Sequence, residues 1–170
     1  MARTRFTAMN CPAARALDEI GDWWTLLIVR EALYGTSSFS GFQDKLGIAR
    51  NILTDRLNAL VENGVLERRQ TKPETERYAY VLTDKGRDLL PILVALMQWA
   101  DRWVFGRGAE PLRVLDARTR SPIEQIVVSS RDGRKLSIND LRFRPGPGAD
   151  QTTLARFAAA RAMRSKPDKN

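Results

Sequence analysis

The sequence contains no histidine and a single cysteine, Cys11, among its 170 residues. An internal disulfide is excluded, and zinc, which is held by His and Cys ligands, finds no ligand set. No apolar run approaches the roughly 18 residues that a membrane-spanning helix needs. The stretch from Met1 to Asn10 carries Arg3 and Arg5 but no apolar signal core, so no export signal is expected. A reducing cytoplasm, without membrane association, is the simplest compartment. There is also no histidine base, no phosphate-cradling glycine loop and no paired-carboxylate motif. An enzyme is not expected, nor a cofactor or a metal ion.

What is present is positive charge, +8 by formal count. It is unevenly spread: residues 1–108 hold 15 basic against 13 acidic side chains, and residues 109–170 hold 13 against 7. Basicity suits an anionic partner such as DNA, although a soluble basic protein without one has the same count.

Cys11-Pro12 opens a first helix, since proline is tolerated where its missing N–H has no partner, and Ala14, Leu17 and Ile20 give it apolar spacing. Trp23 to Leu33 reads as a second helix with Trp24, Leu27, Ile28 and Ala32 near one face. Tyr34-Gly35-Thr36 ends it. A short third helix follows with Ser40 as the expected N-cap, then a tight turn at Gly47. The fourth helix, from Ala49 to about Glu62, carries Leu53, Leu57, Leu60 and Val61 on one stripe. Asn63-Gly64 closes it. Leu66 to Gln70 and Tyr78 to Leu82 alternate in strand fashion around a long polar tip. Thr83-Asp84 begins a helix expected to reach about Phe105, with a bend at Pro91. Gly106 to Pro111 reads as a linker. Beyond it, Arg131-Asp132-Gly133-Arg134 between apolar runs suggests a hairpin, Pro145 to Gly148 a break, and Thr153 to Arg164 a short helix.

The short helix, turn, longer helix and strand from Phe39 to Gln70 have the layout of a helix-turn-helix with a wing behind it. On the fourth helix, Asn51, Thr54, Asp55 and Asn58 lie opposite the leucine stripe, flanked by Arg50 and Arg56. Asparagine reads adenine, threonine meets a thymine methyl, and arginine reads guanine or holds phosphate. The alternative is a solvated face on an ordinary helix. Arg68, Arg69, Lys72 and Arg77 cluster around the hairpin tip, where basic groups hold phosphates or enter the minor groove; a charged sheet edge is the other explanation. Leu96, Trp99 and Trp103 form an apolar stripe on the long helix that a two-fold dimer would cover, which suits a palindromic site. Cys11 sits at a helix N-terminus facing the positive end of the helix dipole, a setting of reactive cysteines. It can equally be an inert small residue.

These motifs together resemble the HxlR-type branch of the MarR-like winged-helix regulators. The matching segments are Cys11-Pro12 with Ala16-Leu17 and Ile20-Gly21, then Trp24 to Glu31 and Phe39 to Phe42. Ile48 with Leu53 to Leu57, Gly64 to Arg68, Tyr80 to Gly86 and Leu89 to Pro91 follow. Ala49 departs from the serine frequent at that position, so the fourth helix lacks a side-chain cap. The resemblance implies a homodimeric transcription factor, commonly a repressor, in which some members sense quinones, aldehydes or oxidants through the cysteine at the position of Cys11. The expected fold is mainly α with a small β-wing: a winged helix-turn-helix with a long C-terminal dimerisation helix, over residues 1–105. A linker at 106–111 and a small α/β extension at 112–170 complete it. Expected partners are double-stranded DNA, a second copy of the chain and a small electrophile or ligand. A winged-helix module that binds only protein, and an extension that senses a small molecule, are the competing functions.

Overall fold

A computed structural model of the chain describes residues 6–71 and 78–164. Contacts divide the chain into two compact units, Glu19–Val127 and a second that combines Met1–Asp18 with Val128–Asn170. The linker-like stretch at 106–111 thus lies inside the first unit, and the N-terminal segment groups with the C-terminal one.

The first unit is a winged helix-turn-helix. Helix α1 (Pro12–Ile20) runs into it, followed by α2 (Trp23–Leu33), α3 (Phe39–Leu46) and α4 (Arg50–Glu62). Strands β1 (Leu66–Gln70) and β2 (Tyr78–Leu82) pair antiparallel, with Leu66 opposite Leu82 and Gln70 opposite Tyr78. Helices α5 (Asp84–Arg87) and α6 (Leu90–Ala100) follow, and a π-helical turn extends α6 over Asp101–Phe105. In that turn Gly106 donates its N–H to the carbonyl of Asp101, five residues back.

The core explains why these elements meet. The leucine stripe of α4 buries Leu53, Leu57 and Leu60 against Ile28 and Val29 of α2, Phe42 of α3 and Leu66, Tyr80 and Leu82 of the wing. Burying a side chain of this size contributes about 1.5–3 kcal/mol, so the stripe orients α4 firmly. Phe42 meets Tyr80 edge-on at 6.4 Å between ring centroids. A further backbone bond, from the N–H of Tyr80 to the carbonyl of Ser37 at 2.7 Å, ties β2 to the segment before α3.

Two local expectations are corrected. The cap of α3 is Ser38, two residues before Ser40: its hydroxyl accepts from the N–H of Gly41 at 3.1 Å. The kinked helix expected from Thr83 to Phe105 is instead two helices. A proline lacks an N–H and its ring crowds the carbonyl four residues back, so α5 stops at Arg87 and Pro91 sits in the first turn of α6.

In the second unit, α7 (Gln151–Arg164) starts two residues earlier than Thr153. The hairpin expected around Asp132-Gly133 is reduced to a tight turn and one isolated bridge, Ser129 opposite Lys135. Its flanks are largely exposed, with only Ser130 and Leu136 half-buried, so little packed surface stabilises extended strands there. Hydroxyl–carboxylate contacts hold the turns: Ser130 donates to Asp132, and Ser137 to Asp140 at 2.6 Å. These bonds hold both carboxyls below their ordinary values.

Candidate nucleic-acid interface

The turn between α3 and α4 sets the candidate reading helix. Gly47 takes the left-handed conformation that closes α3, with φ 61°, where a side chain would be strained. Ile48 is buried beside it and anchors the turn in the core. Helix α4 then emerges with its leucines inward and Asn51, Thr54, Asp55 and Asn58 exposed. Asn51, Asp55 and Asn58 make no side-chain hydrogen bond or ion pair with the described residues, so their polar groups are available to a ligand. The Thr54 hydroxyl donates to the carbonyl of Arg50 at 2.9 Å. Arg50, at the exposed start of α4, lies over the Phe39 ring, 5.1 Å from its centroid. As the sequence suggests, Ala49 caps α4 without a side-chain hydrogen bond.

Arg56 occupies a different environment. Its guanidinium is half-buried and pairs with Asp22 at 3.1 Å. Asp22 is also the N-cap of α2, accepting from the N–H of Trp24 at 3.0 Å. One carboxylate therefore starts α2 and ties α4 to it.

The wing brings Arg68 and Arg69 to its exposed end. Arg68 stacks on the Tyr78 ring at 4.2 Å, and Arg69 pairs with Glu67. Both arginines are exposed, and an exposed ion pair such as Arg69–Glu67 is weak. Lys72 and Arg77 lie outside the described residues. On α6 and the turn after it, Leu96, Trp99 and Trp103 are 51, 57 and 64 % exposed, an apolar stripe that the described residues leave uncovered. Arg102 lies over the Trp103 ring.

Cys11 belongs to the second unit. It is half-buried, and its carbonyl accepts the first helical bond of α1, from Arg15 at 3.0 Å. The Arg15 guanidinium turns to the carbonyl of Thr7 at 3.1 Å and to Asp18 at 3.8 Å. Arg3 and Arg5, the other cations near Cys11 in sequence, lie outside the described residues.

Two supporting residues were missed in the sequence. Phe39 was placed only as the start of a helix, although an aromatic eleven residues before Arg50 cannot be recognised as its platform from spacing alone. Asp22 had a readable signal, an acidic residue just before an apolar helix, but its partner 34 residues away did not.

Residues 19–107 match the family model described as HxlR-like helix-turn-helix. The chain belongs to the HxlR family. It is a transcriptional regulator of helix-turn-helix type, and the members it resembles are regulators rather than enzymes. Among its relatives, the HTH-type transcriptional regulator Rv3095 of Mycobacterium tuberculosis, itself uncharacterised, is 35% identical over 134 residues, 79% of this chain and 85% of the relative. The solved structure of PA1607, a candidate transcription factor, is 39% identical, with a TM-score of 0.78 over 84% of this chain and all of the other. A second, PA1374 from Pseudomonas aeruginosa, is 36% identical with a TM-score of 0.61 over 86% of this chain and 99% of that one. Both cover more of this HxlR chain than the helix-turn-helix alone.

Proposed function

We propose that this HxlR regulator is a homodimeric repressor that binds a palindromic operator in double-stranded DNA. The observation that carries the reading is the exposed polar face of α4, opposite three buried leucines, with the wing arginines beyond it. A helix pinned on one face and open on the other is what a major groove admits. Asn51, Thr54, Asp55 and Asn58 read base edges, and Arg50, Arg68 and Arg69 hold phosphate or guanine. Lys72 and Arg77 extend the wing contact. Arg56 acts through its pair with Asp22, keeping α4 in position. The stripe of Leu96, Trp99 and Trp103 pairs two copies, so two reading helices address two half-sites. Cys11 is the switch: its modification by a quinone-like electrophile releases the operator.

The test is a titration of the upstream promoter region at fixed salt. Arg50→Ala with Arg69→Ala should weaken operator binding by at least tenfold, since each removes charge-assisted contacts of about 1.5–3 kcal/mol. Unchanged binding would remove α4 and the wing from the reading. A quinone should weaken binding by the wild type and not by Cys11→Ser; an equal response in both removes Cys11 from the mechanism.

A further inference from the structure

The second unit contains a cleft of about 1170 Å³ that supplies none of the proposed DNA contacts. One wall is the strap from Thr7 to Arg15, and the other is Phe143 to Asp150 with the first turns of α7. The walls are latched by one side chain. Asn10 donates from Nδ2 to the carbonyl of Gly148 at 3.1 Å. Its Oδ1 accepts from the N–H of Asp150 at 3.2 Å and from the Thr153 hydroxyl at 3.0 Å. A latch that satisfies both ends of an amide holds a concave surface open in a fixed shape.

The lining chemistry has two parts. Met9, Pro12, Phe143 and Phe157 supply apolar and aromatic surface, suited to a flat ring system. Arg15, Arg144 and Arg156 supply positive charge, and Asp150 is the one carboxylate among the lining residues. Asp150 is engaged in the cap of α7, accepting from the N–H of Thr153 at 2.7 Å. Arg15 has its own partners, Thr7 and Asp18. The guanidiniums of Arg144 and Arg156 have no hydrogen bond or ion pair with any described residue. Two guanidiniums without counter-charge, beside aromatic rings in a latched cleft, fit a molecule with an apolar body and an anionic head.

We propose that this cleft binds a small aromatic carboxylate, its rings against Phe143 and Phe157 and its carboxylate on Arg144 and Arg156. Cys11 lines the same cleft, so the bound molecule covers the thiol.

The experiment titrates the full-length protein with 2-naphthoate, 2-naphthalenemethanol and 2-naphthylmethylammonium by calorimetry. Naphthoate should bind once per chain, and at least tenfold more tightly than the alcohol or the ammonium. In Arg144→Gln with Arg156→Gln its affinity should fall at least tenfold while that of the alcohol is unchanged, since two charge-assisted contacts are lost. Arg118→Gln with Arg131→Gln, which removes the same charge outside the cleft, should leave naphthoate binding intact. Naphthoate should also slow alkylation of Cys11 by iodoacetamide in the wild type. Equal affinity for the three compounds, loss of binding in the control variant, or no binding at millimolar concentration each overturns the proposal. So does a loss of DNA affinity in the Arg144 and Arg156 variant with naphthoate binding unchanged, which would make these arginines phosphate contacts. The naphthoate, alcohol and ammonium titrations contain no DNA, so failure of ligand binding and failure of the operator reading are separate results.

Discussion

At Gly86, near the end of α5, a Cβ would lie 2.3 Å from the carbonyl oxygen of Val65 and 2.8 Å from a methyl of Leu82. That carbonyl cannot retreat cheaply, because it accepts the N–H of Thr83 at 3.2 Å. Gly86→Ala should lower stability by about 2–3 kcal/mol, the cost of overpacking a closed site, measured by urea denaturation. Asp22 makes a second residue-scale prediction. Asp22→Asn keeps a competent N-cap but weakens the pair with Arg56, whereas Asp22→Ala removes both. The alanine variant should lose about 1 kcal/mol more than the asparagine variant. Equal losses would mean that the Arg56 pair, rather than the cap, carries the whole contribution.

The two helices of the helix-turn-helix begin differently, and this is a difference between elements. Helix α3 starts on the Ser38 hydroxyl, whereas α4 starts on Ala49 with no side-chain acceptor. Ser38→Ala should destabilise the protein by about 1 kcal/mol, and Ala49→Ser should stabilise it by about 0.5–1 kcal/mol. A shift of the urea midpoint in opposite directions checks both. No shift for Ala49→Ser would show that solvent already satisfies the first N–H groups of α4. The break between α5 and α6 follows the same local logic: Pro91 is tolerated in a first turn and not in a helix interior.

At the scale of the molecule, the proposed dimer and operator contacts rest on the exposed stripe of α6 and its following turn and on the uneven charge. Trp99→Ala with Trp103→Ala should convert a dimer to a monomer in sedimentation velocity, because buried aromatics dominate such interfaces. The same variant should bind a single half-site as well as the wild-type monomer would and lose preference for the paired site. A dimer that persists in this variant places the interface elsewhere. Only two of the eight net charges fall within residues 1–108. Operator affinity should therefore fall with salt by the slope of a few placed arginines rather than that of a broad basic surface.

Much of the fold was legible because it is written in local, periodic signals. The i, i+4, i+7 leucines of α4, Gly47 and Gly64 at turns, and the alternation of Tyr78, Tyr80 and Leu82 each depend only on near neighbours, and the structure places them as expected. Signals that two nearby residues share were less determinate: Ser38 and Ser40 are the same residue type two positions apart, and only the structure shows that Ser38 is the cap. The candidate site divides the same way. That Asn51, Asp55 and Asn58 face away from the core follows from helical periodicity alone. That Arg56 is held by Asp22, Arg50 by Phe39 and Asn10 by Gly148 and Thr153 depends on chain segments brought together across long separations. Sequence by itself determined the helices of the helix-turn-helix, the two wing strands, the inward face of α4 and the family. Only the tertiary structure decided which polar side chains are already engaged and which remain free to bind, because a partner's identity depends on distance in space and not along the chain.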